Sequence, residues 1–228
     1  MGPATPVRRP TFRLLLGLAG LVLFLFTGVA LAVTLGVSST KLTTSTGASS
    51  ITPTTCTLSA ADADSYIDQN SAGRNFGTVT NLDVSSRYGN RNRRTFVRLD
   101  LASCSIPANS LITAASLKLF MYAAPTASRT YDAHRTTASW TEAGITWTNQ
   151  AAVAGAATSS VTTGTTANVT LTWTVTADVQ AFVDGTANNG WRISDRTESS
   201  GTVRTSQFRS AEYGTAAQRP ILEATYYP

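Results

Sequence analysis

Residues 169–176 read VTLTWTVT. In an extended chain successive side chains point to opposite faces. Val169, Leu171, Trp173 and Val175 therefore share one side, and Thr170, Thr172, Thr174 and Thr176 the other. Apolar and polar faces alternating with a period of two define a strand that lies on a core and keeps one side wet. The pattern recurs outward from there. Over 95–101, Val97, Leu99 and Leu101 face inward, with Arg98 and Asp100 opposite. Leu117, Leu119 and Met121 alternate with Lys118, Phe120 and Tyr122, so that strand is apolar on nearly both faces and belongs at the centre of a sheet. Further strand-like runs are 65–68, 81–86, 129–137, 191–195, 203–208 and 221–227, divided by clusters of Gly, Asn, Ser and Pro.

One helix interrupts the strands. Thr176 is placed to cap it, Asp178 lies in its first turn near the positive end of the dipole, and Gly185 can end it. Val175, Val179, Phe182 and Val183 fall on one face. At about two turns it cannot stand alone and must dock on the sheet. Many short strands at intervals of about ten residues predict an all-β domain, a β-sandwich of two face-packed layers, over residues 56–228.

Composition agrees. With 42% hydrophobic and 14% charged residues among 228, the chain is neither a long disordered polymer nor a charged coiled coil. The net charge of +5 is unevenly placed. Arg8, Arg9, Arg13 and Lys41 carry four of the eighteen basic charges, and all thirteen carboxylates follow residue 60. From residue 42 onward fourteen basic residues face thirteen acidic ones, or +1, so no nucleic-acid partner is expected.

Residues 1–13 are basic and lack an acid, and 14–37 form an apolar run of twenty-four residues. Two readings stand. One is a secretory signal peptide with a small-residue cleavage site at Ala30-Leu31-Ala32. The other is an uncleaved transmembrane anchor, which would make the membrane a partner. Both export everything that follows, so an extracellular or cell-surface location is expected. In 38–55, twelve of eighteen residues are Ser or Thr, which reads as a linker. Cys56 and Cys104 then lie in an oxidising compartment, where a disulfide is expected and two buried thiols are the alternative.

Several phrases add up in order. Ala63-Asp64-Ser65-Tyr66-Ile67 opens the domain, and Arg74-Asn75-Phe76-Gly77 precedes Leu82-Asp83-Val84. Phe96-Val97-Arg98-Leu99-Asp100-Leu101, Ser139-Trp140-Thr141-Glu142 and Ile145-Thr146-Trp147-Thr148-Asn149-Gln150 follow. Val175-Thr176-Ala177-Asp178-Val179-Gln180, Asn188-Asn189-Gly190-Trp191 and Arg219-Pro220-Ile221-Leu222-Glu223 close the series. Together they resemble the DNRLRE domain family of secreted bacterial and archaeal proteins over essentially all of 56–228. The paired Cys56 and Cys104 look like a variant common there. The resemblance implies a jelly-roll β-sandwich, exported, with some relatives classed as carbohydrate-binding modules.

Chemistry-bearing residues are few. His134 is the only histidine, and Asp132, two residues away on the same strand face, cannot by itself build a catalytic triad with it. Glu142, Asp195, Glu212 and Glu223 are glycosidase candidates by residue type alone, and a loop-pinning role is expected for Glu142 and Glu212. Asp62, Asp64 and Asp68 are calcium candidates, against the reading of a solvated acidic strand entrance. Arg87, Arg91, Arg93 and Arg94 lie with Tyr88 in SRYGNRNRR, where guanidinium forks suit an acidic glycan or wall polymer or simply keep a turn soluble. Trp173 and Trp191 read as core. Trp140 and Trp147 flank a Gly-bearing loop and serve either as loop anchors or as platforms for sugar rings. The expectation is a monomeric, non-catalytic exported module that binds polysaccharide, with a structural or adhesive surface domain as the alternative and a glycan-processing enzyme third.

Overall fold

The structure, a computed structural model, describes residues 52–201 and 203–228. The apolar run read as leader or anchor, and all but the last four residues of the Ser/Thr-rich stretch, lie outside them. Eleven strands run in chain order: β1 (Thr54–Ser59), β2 (Ala63–Asp68), β3 (Asn81–Ser86), β4 (Arg93–Arg98), β5 (Leu111–Ala123), β6 (Thr130–Arg135), β7 (Ser159–Thr162), β8 (Val169–Thr174), β9 (Trp191–Asp195), β10 (Arg204–Arg209) and β11 (Ile221–Tyr227). Helix α1 (Thr176–Val183) stands between β8 and β9. Among the described residues no helix is long and apolar enough to cross a membrane.

Every pairing is antiparallel, in the order β1-β11-β5-β10-β3-β4-β9-β6-β7, with β2 added on β4 and β8 on β5. The strands thus form one curled sheet whose two arms enclose a shared core, a sandwich-like arrangement as expected, with its layers joined at one point. The single pair Ser85↔Arg93 joins its arms between β3 and β4. Both arms feed one core. Leu117, Leu119, Met121, Trp173 and Phe208 come from one arm, and Val97, Leu99, Tyr131, Trp191 and Ile193 from the other, all fully buried. The polar handles of the buried rings are satisfied inside. Trp173 Nε1 donates to the Tyr131 carbonyl (3.1 Å), Tyr131 Oη to Ser206 Oγ (2.8 Å) and Trp191 Nε1 to Asp178 Oδ2 (2.8 Å).

The alternating segment that opened the reading is β8, with Trp173 at 0% exposure. Strand β5 is paired on both sides, as its two apolar faces required. Thr176 does not cap α1. It is the first helical residue, and its Oγ1 accepts the Ala115 N–H (2.9 Å), tethering the helix to β5. Gly185, at φ +100°, sits just past the helix end and donates to the Phe182 carbonyl.

Two strands escaped the sequence reading. β1 begins at Thr54, inside the stretch read as linker, and β7 is Ser-Ser-Val-Thr. Each pairs with one neighbour only, so neither needs two apolar faces. Cys56 on β1 is disulfide-bonded to Cys104 with a Cα–Cα distance of 5.8 Å, as expected. A second, smaller cluster lies on the outer face of the β2–β4 pair. Ala63, Ile67 and Phe96 meet Trp140, Ile145 and Ala151 there, so the chain between β6 and β7 folds back over the sheet.

Candidate functional site

The returning segment places the two candidate platform rings. Trp140 is 7% exposed. Its edge meets Phe96 with centroids 5.7 Å apart, its Nε1 donates to the Asn189 carbonyl (2.8 Å), and the Arg98 guanidinium lies 5.6 Å from its centroid. Protein surrounds this ring and makes it a loop anchor. Trp147 is half-buried, and the Arg94 guanidinium lies 4.4 Å from its centroid. Arg94 in turn donates twice to Glu198 (2.7 and 2.6 Å) and once to Gln150 (2.7 Å).

The arginine-rich turn joins β3 to β4. Gly89 (φ +77°) and Asn90 (φ +57°) take the left-handed conformation that the tight reversal needs. Buried Asn92 fastens its base. Asn92 Oδ1 accepts the Arg87 and Ser199 N–H groups (3.2 and 2.8 Å), and Asn92 Nδ2 donates to Gln69 Oε1 (2.8 Å). The Tyr88 N–H donates to the Ser200 carbonyl (2.6 Å). On this fastened frame the Tyr88 ring is 75% exposed, the most exposed large apolar side chain among the described residues. A depression of about 180 Å³ at the base of the turn is lined by Arg87, Arg91, Arg93, Asp68, Asn70 and Thr205 among others. Among the described residues no carboxylate pairs with Arg87 or Arg91. Arg93 differs, because it donates to Asp68 (3.0 Å) and Asp83 (2.6 Å). Burial pulls its pKa down, but the two carboxylates outweigh this and hold it above the usual value. The Arg93 guanidinium therefore joins strands, and it also lines the depression beside Arg87 and Arg91.

A second depression, of about 220 Å³, was not legible beforehand. Three guanidinium groups (Arg94, Arg192, Arg196) and three carboxylates (Asp132, Asp195, Glu198) line it with His134, so its charge is nearly balanced. Burial, helped by Arg94, lowers the Arg192 pKa to about 10, and its Nε has no hydrogen-bond partner. His134 Nδ1 contacts the Ala154 carbonyl (3.0 Å), while Asp132 accepts from Arg196 and Ser160. Asp132 therefore does not orient the histidine, and no triad forms.

The acidic candidates are redistributed. Asp62 pairs with Arg98 (2.7 Å), and Asp68 accepts from the Asn70 N–H (2.8 Å) as well as from Arg93. The three calcium candidates are thus engaged separately, Asp62 and Asp68 by arginines and Asp64 elsewhere. Asp195 is bound by Arg129 and Glu223 by Lys118. Asp64 instead meets Glu142 and Glu212. Its N–H donates to Glu142 Oε1 (2.9 Å), and its Oδ2 accepts the Ala211 N–H (2.8 Å). Asn75 holds the Glu142 loop by donating to the carbonyls of Glu142 (2.6 Å) and Ile145 (2.8 Å). Gly77 lies so close that a Cβ there would stand 2.6 Å from the Glu142 carbonyl oxygen. Burial, reinforced by Glu212, pushes the Asp64 pKa up to about 8, and burial raises that of Glu142 as well. Asp64 is 1% exposed, so no sugar ring can reach it as a hydrolase would require.

The described chain is thus an all-β domain, a curled antiparallel sheet tied by a disulfide, with an exposed ring on a fastened turn. A model of carbohydrate-binding module family 96 matches residues 55–226, and the chain belongs to that family. Comparison with curated proteins finds no match.

Proposed function

We propose that this chain is an exported, non-catalytic module that binds a polysaccharide, with the Arg87–Tyr88–Arg91 turn as its contact surface. The observation that carries this reading is Tyr88, a ring 75% exposed on a turn whose backbone is fixed by Asn92 and Ser200. A flat ring on a fixed backbone can stack on a pyranose face at the cost of ordering only its own side-chain torsions. Arg87 and Arg91 beside it offer forks that fit carboxylate groups, which favours a uronic-acid polymer over a neutral glucan. Membership of a carbohydrate-binding family supports the ligand class. The Cys56–Cys104 disulfide supports an oxidising, exported setting. The jelly-roll description and the DNRLRE resemblance stand as finer readings of the same region.

Affinity electrophoresis in gels carrying either a uronic-acid polysaccharide or a neutral glucan tests this. Retardation is expected in the first. Tyr88→Ala and Arg91→Ala are each expected to weaken it by roughly tenfold, the worth of one buried ring or one charge-assisted contact. Unchanged mobility in both variants, with circular dichroism intact, would remove the turn from the binding surface.

A further inference from the structure

We propose that Asp64, Glu142 and Glu212 form a calcium site that joins three segments far apart in the chain. Asp64 stands near the start of β2, Glu142 in the segment after β6, and Glu212 in the turn after β10. One oxygen from each lies within 4.8 Å of the others. Oxygens sharing a calcium ion at about 2.3–2.6 Å can be at most about 5 Å apart, whereas magnesium at about 2.0–2.1 Å limits them to about 4.2 Å. A spread of at most 4.8 Å fits calcium with no movement of the side chains, and carboxylates drawn from three separate segments suit calcium's flexible coordination better than the near-ideal octahedron magnesium demands. All three donors are carboxylates, which suit a hard cation.

The acidic cluster does not carry the assignment by itself. Asp64 Oδ1 is buried on a side chain 1% exposed and receives no hydrogen bond from any N–H or hydroxyl group, although Asp64 Oδ2 and the Asp64 N–H are both bonded and the Glu212 carboxyl lies close enough to interact with it. A buried acceptor of this kind calls for a cation or a proton. The Arg98 guanidinium, whose charge acts on Glu142, is engaged with Asp62 at 2.7 Å. The surroundings also fix the ligands in place. Asn75 and the close approach of Gly77 hold the Glu142 loop, and the Ala211 N–H orients Asp64. The alternative occupant is a proton shared among the carboxyl groups. The site is independent of the polysaccharide reading, and its test does not involve sugar.

Full-length protein stripped with chelator is heated at pH 7 with calcium or magnesium, and the binding heat is measured by titration calorimetry. One calcium per chain is expected. Modules exposed to extracellular calcium bind at ~10⁻⁴–10⁻³ M, so titration to about 10 mM covers the range. At a hundredfold excess over Kd the melting temperature should rise by about 5–10 °C. Asp64→Asn should abolish the rise. Should that variant fail to fold, Glu212→Gln decides, because Glu212 is exposed. Its expected result is a calcium response at least tenfold weaker, with a metal-free melting temperature no lower than the parent's because a repelling charge beside Asp64 is removed. No response to calcium, an equal response to magnesium, or a full response in Glu212→Gln overturns the site and leaves a proton-sharing cluster.

Discussion

Trp140 donates its indole N–H to the Asn189 carbonyl and sets its edge against Phe96, so removing the ring opens a cavity and strands that carbonyl. Trp140→Ala should cost about 3–5 kcal/mol in urea unfolding, in line with large-to-small changes in cores. Tyr88→Ala should stay within about 0.5 kcal/mol, because its exposed ring supports nothing. A Trp140→Ala protein as stable as the parent would sink the anchor assignment. The contrast was not legible beforehand. Both rings sit in short polar phrases, and the partner that buries Trp140 is 49 residues away. Trp173 was legible, because its alternating neighbours declare which face meets the core. Asp64 shows the same boundary. Its position at a strand entrance could be read, but Glu142, 78 residues on, could not be paired with it by any spacing rule.

At the scale of elements, one carboxylate fastens an edge. Asp132 on β6 accepts from Ser160 on β7 (2.7 Å) and from Arg196 just past β9 (2.8 Å). Burial pushes the Asp132 pKa up, but the hydrogen bonds from Arg196 and Ser160 outweigh it, with His134 adding a smaller pull, and the net shift is downward. A carboxyl whose folded pKa lies below its unfolded value adds stability that is complete above about pH 4 and fades as pH falls through the folded value. Asp132→Asn should therefore unfold at lower urea than the parent at pH 6, and the two should converge near pH 3. A gap that persists undiminished at acid pH would show that the pair contributes through shape alone. Edge strands such as β7 are what periodicity reads worst. Ser-Ser-Val-Thr has one apolar residue and needs no more, since a single ladder to β6 and this carboxylate hold it. The helix is legible from its apolar face, and Asp178 stands in its first turn as expected. Its carboxylate accepts from Trp191 Nε1 and Thr158 Oγ1, contacts that only the folded sheet supplies.

For the molecule as a whole, the Cys56–Cys104 bond matters because of where the curled sheet ends. Strand β1 is terminal and pairs only with β11, while Cys104 closes the short turn Leu101–Cys104 that follows β4. The bond thus clips the last strand of one arm to the other arm, across a separation of 48 residues. The pairing itself was legible from two cysteines on the exported side of a leader-like run. What it holds was not, because the first residues of β1 are threonines that read as linker. On the chain-entropy account a loop of this size stabilises by about 4 kcal/mol. Cys56→Ser/Cys104→Ser should accordingly melt about 8–16 °C lower than the parent, at the response usual for a domain of this length. The shared core spans both arms without help from sulfur, so the variant should still fold cooperatively. Its weak point should be local. In hydrogen exchange, the β1 amides and their β11 partners should lose protection before those of β5, which is paired on both sides. A melting point within about 2 °C of the parent would mean that the ladder to β11 suffices to hold the edge, and the disulfide would then owe its place to something other than the stability of the sheet.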